Sequence, residues 1–111
     1  MTRRVLLTAN DSDVAPRFDT CQEVMIVDLD GSGAPRGNKT LVLAEPSAED
    51  ICLIVLAERV EAVICGGIEE EQYQFLTWKG VNVLEGVIGP VDDVLARYGQ
   101  GALRSHDILR V

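Results

Sequence analysis

Two glycine-bearing turns have the residue types of a ligand-binding rim. The turn Cys65-Gly66-Gly67-Ile68 closes an apolar stretch and precedes a helical pattern, and Gly86-Val87-Ile88-Gly89 does the same further along the chain. Glycine lets a backbone come close to a ligand, and a helix start offers unpaired N–H groups and a partial positive charge to an anion. A Gly-Gly pair is also typical of a tight turn that only packs a helix on a sheet. Two such turns together favour a site for a small anionic ligand.

The polar loop from Asn10 to Cys21 carries charges that could complete such a site. Arg17 is the cation of this loop that is placed to meet an anion. The alternative is that Arg17 is an ordinary surface arginine with no role in binding. The three aspartates of the loop could bind a hard cation, but they lack the spacing of a calcium loop, and solvated turn carboxylates are the commoner outcome. The loop is therefore predicted to form a third wall of the site.

The three cysteines do not form a recognisable framework. Cys21, Cys52 and Cys65 are an odd number at long separations, which fits neither a set of disulfides nor the CxxC pairs of structural zinc. Cys65 precedes a helix start that could favour its thiolate and make it a soft metal ligand, or it is a small buried hydrophobe. Cys21 borders the polar loop and could face the same cleft. Cys52 lies in an apolar helical stretch and is predicted to be core.

Several kinds of chemistry are disfavoured by what the sequence lacks. Neither glycine turn is followed by the Lys-Ser or Lys-Thr pair of a phosphate-binding loop, and no Gly-x-Gly-x-x-Gly pattern occurs. His106 is the only histidine and lies near the C-terminus, so a positioned imidazole base in the core is not expected. A two-metal nuclease needs several converging carboxylates, which Asp28 and Asp30 alone do not supply. The sequence therefore predicts a protein that is not an enzyme.

Composition predicts one acidic domain. The chain has 111 residues, enough for a single core, with 10 Lys plus Arg against 18 Asp plus Glu and a formal charge of −8. This charge repels nucleic acid and anionic lipid, and neither is expected as a partner. The apolar run at the N-terminus is too short for a signal peptide, and no stretch is long enough to span a bilayer. We expect a cytoplasmic protein with reduced thiols.

The predicted elements alternate after an initial group of strands. Strands are predicted at 4–9, 23–29 and 38–43, where the last two are joined by a turn-forming cluster. Ser47 can cap a helix that ends near Arg59, and later helices are expected at 69–79 and 90–99, with short strands at 61–65 and 81–84 before them. The order is βββαβαβα, in one domain over 1–100, and 101–111 is a tail without clear periodicity that frays or docks on a partner.

This order predicts an α/β fold that brings the three polar loops together. The last two strands are expected to be parallel, because each crossover helix is long enough to span a sheet. Ligands of such sheets bind beyond the carboxyl ends of parallel strands. If the first strand is parallel to the other two, the loop 10–21 and both glycine turns meet at that edge.

Three segments resemble a known family over nearly the whole chain. The segments Val14-Ala15-Pro16-Arg17-Phe18-Asp19-Thr20-Cys21, Val63-Ile64-Cys65-Gly66-Gly67-Ile68 and Gly86-Val87-Ile88-Gly89-Pro90-Val91 resemble the dinitrogenase iron-molybdenum cofactor biosynthesis family. Its members include small accessory proteins that carry cofactor or its precursor during nitrogenase assembly, and orange-protein-like domains. The resemblance implies a ribonuclease-H-like three-layer α/β/α fold with a five-stranded mixed sheet.

The resemblance also implies a carrier role. The expected cargo is an iron-molybdenum, molybdenum-copper or iron-sulfur cluster, or its precursor, bound without covalent attachment, and the expected partners are cluster donor or acceptor proteins. Cys21 and Cys65 are the candidate metal ligands. Together, the loops and the resemblance select as candidate binding residues Asn10, Pro16, Arg17, Phe18, Cys21, Cys65, Gly66, Gly67, Ile68, Gly86 and Gly89.

Two departures from the family pattern keep a second hypothesis open. The double glycine is followed by Glu69-Glu70-Glu71, which suits a helix start but competes with an anionic cluster. The family's carriers also often use a histidine ligand, and no core histidine is predicted here. The alternative is an interaction or regulatory domain that has kept the fold and lost the cluster. A monomer or weak homodimer is expected in either case.

Overall fold

A computed structural model describes residues 3–109. The last two residues of the predicted tail, Arg110 and Val111, lie outside this range. Nine elements follow one another in the described part of the chain: β1 (Arg3–Asn10), β2 (Asp13–Val14), β3 (Glu23–Leu29), β4 (Pro35–Val42), α1 (Ala48–Glu58), β5 (Ala62–Ile64), α2 (Glu70–Trp78), β6 (Asn82–Leu84) and α3 (Val91–Gly99). No helix in this range has both the length and the hydrophobicity needed to cross a bilayer.

The sheet is mixed and has the order β4-β3-β1-β5-β6. β1 is antiparallel to β3, and β3 is antiparallel to β4. β1 is parallel to β5, and β5 is parallel to β6, which confirms the parallel arrangement on which the three-loop prediction depends. The predicted count of five strands was one short. The extra strand, β2, is a two-residue segment that pairs with the end of β1 and is too short to produce an alternating pattern.

Helices cover both faces of the sheet and give the predicted three layers. Alternating residues of β1 belong to different cores, so that Leu6 packs with α1 and α2 while Val5 and Leu7 pack with α3. The α1/α2 core contains Ile51 and Leu76, and the α3 core contains Val91, Val94 and Tyr98. The fold is therefore the expected α/β fold. The ribonuclease-H-like label stays a prediction.

Helix ends show which helices lack a side-chain cap. The Ser47 hydroxyl accepts the Asp50 N–H at 3.1 Å, as predicted, and α1 ends where Arg59 takes a left-handed conformation. By contrast, the residues that precede α2 and α3, Glu69 and Pro90, make no side-chain cap hydrogen bond. Both of these helices begin at the carboxyl edge of the parallel strands, which leaves their first-turn N–H groups pointing towards that edge.

The described part of the tail docks on the chain itself. His106 N donates to Glu85 O at 2.8 Å, Ile88 N donates to Asp107 O at 3.0 Å, and Leu109 N donates to Ile88 O at 2.8 Å. Leu103 is buried in the α3 core. The loop that follows β6 is thus held from one side by residues 105–109.

Candidate functional site

The three predicted loops enclose one cleft at the carboxyl ends of β1, β5 and β6. We call it the three-loop cleft, and its volume is about 340 Å³. Every lining residue is apolar or glycine: Val14, Pro16, Gly66, Gly67, Gly86, Val87 and Ile88. The structure therefore brings together one wall from each loop, as the parallel strand order requires.

Backbone hydrogen bonds join the three loops directly. Gly67 N donates to Pro16 O at 2.8 Å, and Phe18 N donates back to Gly67 O at 2.7 Å. Gly86 N donates to Gly66 O at 2.9 Å, which ties the second loop to the third. The relative positions of the walls are thus set by main-chain contacts, and the side chains that line the cleft are free to contact a ligand.

Two glycines are required by this geometry for different reasons. A Cβ on Gly66 would lie 2.3 Å from Pro16 O and 2.5 Å from Ala15 O, both of them backbone atoms. Gly86 has a φ of +67°, which L side chains rarely adopt, and a Cβ there would meet the His106 ring. Gly67 is different, since its virtual Cβ has no neighbour closer than 3.6 Å. The Gly-Gly pair therefore combines one packing glycine with one that leaves open space.

Arg17 lies at the rim but is already paired. Its Nε donates to Asp19 Oδ1 at 2.8 Å, and its second guanidinium nitrogen donates to Glu69 Oε1 at 2.8 Å. The hydrogen bond from Arg17 holds the pKa of Asp19 below its ordinary value. An incoming anion would have to replace Glu69 as the partner of Arg17. Of the three consecutive glutamates, Glu69 is therefore the one that competes directly with an anion.

The two candidate metal ligands are buried thiols. Cys65 is fully buried, and its burial, with smaller contributions from Glu85 and Cys21, raises the pKa of the thiol to about 12. Of the two readings of Cys65, this burial favours the small buried hydrophobe, because desolvation opposes the thiolate. Cys21 donates to Glu23 O at 2.8 Å, and burial also raises its pKa. Cys52 is a core residue, as predicted.

The remaining candidates divide between the cleft and its surroundings. Phe18 has no exposed surface and packs in the α1/α2 core, so that only its backbone N–H takes part in joining the loops. Asn10 and Cys21 line a neighbouring cavity of about 470 Å³, which shares Pro16 with the three-loop cleft. Gly89, the last residue of the third loop, is buried, and its carbonyl accepts the Val14 N–H at 3.0 Å.

His106 was missed as a residue of this region. The docked tail places its imidazole against Gly86, where a Cβ would lie 2.3 Å from His106 Nδ1. Its φ of +70° is unusual for a residue other than glycine. The tail has no periodicity that could have predicted this docking. Within residues 3–109, however, no three His, Cys, Asp or Glu side chains are grouped so that they could hold a metal ion.

A mixed α/β sheet with helices on both faces and a cleft of three joined loops at its carboxyl edge defines this protein as a small three-layer α/β domain. The sequence matches the dinitrogenase iron-molybdenum cofactor family over residues 1–101, and the chain belongs to that family. A search of curated proteins found no match.

Solved structures share the fold at low sequence identity. A candidate dinitrogenase from Methanocaldococcus jannaschii is 22% identical, with a TM-score of 0.76 and 93% of each chain covered. A candidate NifB protein from Thermotoga is 18% identical, with a TM-score of 0.70 and 97% of each chain covered. The apo form of the orange protein from Desulfovibrio gigas is 17% identical, with a TM-score of 0.70, and 93% of this chain and 92% of that chain are covered.

Proposed function

We propose that this protein is a non-enzymatic cytoplasmic carrier of a metal-sulfur cluster or its precursor, of the iron-sulfur or molybdenum-containing type. The cargo binds in the three-loop cleft and passes between donor and acceptor proteins. The family supports a role related to the iron-molybdenum cofactor in general terms. The observation that carries the proposal for this chain is the cleft itself, in which three loops present an apolar and glycine surface at the carboxyl edge of the sheet.

The chemistry of the walls suits a cargo that keeps its own ligands. A metal-sulfur cluster has a surface of sulfides, which pack on apolar groups and accept hydrogen bonds from backbone N–H groups. The starts of α2 and α3, neither of which has a side-chain cap, could supply such donors, apart from the Val91 N–H, which already donates to Ser12 O at 2.8 Å.

Two side chains at the rim would adjust to the cargo. Arg17 is exposed and can exchange its bond to Glu69 for one to an anionic cluster, while Asp19 keeps the guanidinium in place. His106, beside Gly86, offers an imidazole nitrogen to a metal ion at the edge of a cluster. Cys21 and Cys65 would have to lose both burial and a proton before they could ligate, so we assign them to packing.

Loading of the purified protein tests the proposal. The apo-protein is mixed anaerobically with tetrathiomolybdate plus copper, or with an iron-sulfur cluster donor, and then passed over a desalting column. We expect a visible chromophore and metal to co-elute with the protein. A protein that retains neither chromophore nor metal from any such donor would contradict the carrier function.

A pair of charge variants tests the location of the cargo. Ile88 lines the cleft and is 51% exposed, while Leu53 on α1 is 63% exposed and lies away from it. Ile88→Asp places a negative charge beside an anionic cargo, and we expect retention to fall about tenfold. Leu53→Asp makes the same chemical change elsewhere and should load like the wild type. Equal loss in both variants would refute binding in the cleft.

The alternative function is that of an interaction domain without a cluster. The pairing of Arg17 with Asp19 and Glu69 favours it, because the cation nearest the cleft is already neutralised. Failure to load any cluster together with metal-independent binding of a partner protein would support this alternative.

A further inference from the structure

A second concave surface lies between α1 and α2, on the face of the sheet opposite α3. This α1–α2 groove has a volume of about 310 Å³ and is lined by Glu49, Cys52, Leu53, Glu71, Gln72 and Phe75. None of these residues lines the three-loop cleft. The groove is therefore a separate surface, and a ligand bound there does not depend on a cluster in the cleft.

Large apolar side chains are exposed along this groove. Leu53 lines it and is 63% exposed. Phe75, also in the lining, contacts Trp78 at a ring-centroid distance of 6.4 Å, and Trp78 is 75% exposed. Exposed apolar surface that is continuous with a groove is typical of a site for another protein.

The polar atoms of the groove favour a partner that carries hydrogen-bond donors and positive charge. Glu49 and Glu71 lie in the first turns of two helices that run in the same direction, so they lie near the same end of the groove. Within residues 3–109 neither makes an ion pair, unlike Glu69, which binds Arg17. Gln72 Oε1 is out of contact with water and accepts no hydrogen bond from this part of the chain. The carboxylates of Glu49 and Glu71 are therefore the groove oxygens that could accept a hydrogen bond from the occupant.

We propose that the α1–α2 groove binds a cationic amphipathic helix of a partner protein. Its apolar face packs on Leu53 and Phe75, and its lysines or arginines meet Glu49 and Glu71, in the way that helices dock in apolar grooves. The lining runs from Glu49 to Leu53 on α1 and from Glu71 to Phe75 on α2, about 6 Å along each helix, so the groove contacts one to two turns of a bound helix. A second copy of this chain is a poor occupant, because its net charge is −8 and its own groove has the same acidic end.

A designed peptide pair tests the chemistry of the occupant. The probe is a helical peptide of about 14 residues with leucines on one face and lysines on the other, and the control peptide has glutamate in place of lysine. Trp78 is the only tryptophan of the chain, so its fluorescence reports binding beside the groove. We expect a blue shift with the lysine peptide only, together with amide shifts in the nuclear magnetic resonance spectrum confined to α1 and α2.

Charge variants with a matched control locate the interaction. Glu49→Gln combined with Glu71→Gln removes two charges from the groove, and we expect the Kd for the lysine peptide to rise about tenfold. Asp92→Asn combined with Asp93→Asn removes two exposed charges from the first turn of α3, on the other face, and should change the Kd less than about twofold.

Apolar variants test the other half of the interface. Leu53→Ala shortens the exposed side chain in the groove and should weaken binding by about fivefold, while Val42→Ala, at a side chain 72% exposed on β4, should not. Circular dichroism verifies that the variants remain folded.

Four outcomes would overturn the proposal. Absence of binding by the lysine peptide would refute it, and so would equal binding of the glutamate peptide. Equal weakening by the groove and α3 charge variants would show a general attraction to an acidic protein. A dimer in sedimentation that Leu53→Ala dissociates would assign the groove to a second copy. Because each result is obtained without metal, failure here is distinct from failure of cluster loading.

Discussion

Gly66→Ala and Gly67→Ala are the same chemical change at adjacent residues. The structure predicts that the first lowers the stability of the fold and that the second leaves it nearly unchanged. Neither glycine has a positive φ, so conformational strain does not separate them. A Cβ on Gly66 meets Pro16 O at 2.3 Å, whereas a Cβ on Gly67 meets nothing closer than 3.6 Å. The comparison therefore isolates the steric contact between the first and second loops.

The size of the Gly66→Ala effect follows from the distance. An ordinary contact of about 3.4 Å requires the Pro16 carbonyl to move about 1 Å, which disturbs the bonds Gly67 N to Pro16 O at 2.8 Å and Phe18 N to Gly67 O at 2.7 Å. Overpacking and weakened hydrogen bonds together lower the free energy of unfolding by about 3 kcal/mol, or the melting temperature by about 13 °C. Gly67→Ala should stay within about 1 kcal/mol of the wild type.

Urea unfolding and calorimetry measure both variants against the wild type. Equal stability of the two variants, or a less stable Gly67→Ala, would refute the contact between Gly66 and Pro16. The same variants connect stability to function, because Gly67→Ala keeps the fold and adds a methyl group to a residue that lines the cleft. Reduced cluster loading by Gly67→Ala at unchanged stability would support the cleft as the cargo site.

Two further predictions concern a buried thiol and a close contact between two glycines. Burial raises the pKa of Cys65 to about 12 from an ordinary 9.0, so the stability contributed by the neutral thiol is complete below pH 9 and is lost as the pH rises towards 12. At about pH 10.5 this removes about 2 kcal/mol from the free energy of unfolding. Urea unfolding measured at several pH values across this range should show a smaller loss of stability for Cys65→Ala than for the wild type. Equal losses would contradict the raised pKa of Cys65. Gly99→Ala should lower the free energy of unfolding by about 2 kcal/mol, because its Cβ would lie 2.2 Å from Gly33 O. The control is Gly31→Ala, whose Cβ meets no atom within 4 Å and which should leave thermal unfolding unchanged. A destabilised Gly31→Ala would show that a general effect of alanine, and not this contact, is responsible.

Elements with a strong local pattern could be predicted from the sequence. β3 was predicted with its observed bounds, Glu23–Leu29, because its apolar run is followed by a turn cluster. The cap at Ser47 was equally local. β2 was missed, since two residues cannot show a period and Asp13–Val14 becomes a strand only by pairing with β1. The docking of residues 105–109 was missed for the same reason, because it depends on backbone groups of the distant loop after β6.

The composition of the site could be predicted only in part. The glycine turns and Pro16 identified the cleft, because strand ends and turn residues are visible in the sequence. Side-chain roles were less visible. Phe18 belongs to the core, and Cys65 is a protonated buried thiol, since sequence pattern alone does not reveal how deeply each side chain is desolvated. The partners of Arg17 lie 2 and 52 residues away, and only folding shows that Glu69 is one of them.

The docked tail supports the third wall of the cleft with residues that the other two walls do not use. The family match ends at residue 101, whereas the backbone bonds that hold the loop after β6 come from His106, Asp107 and Leu109. The sheet and the first two loops make no use of those bonds. Sequence change within 105–109 can therefore reshape one side of the cleft while the shared framework stays intact. The tail is thus a place where proteins with this fold could differ in the shape of the cleft without any change in the sheet.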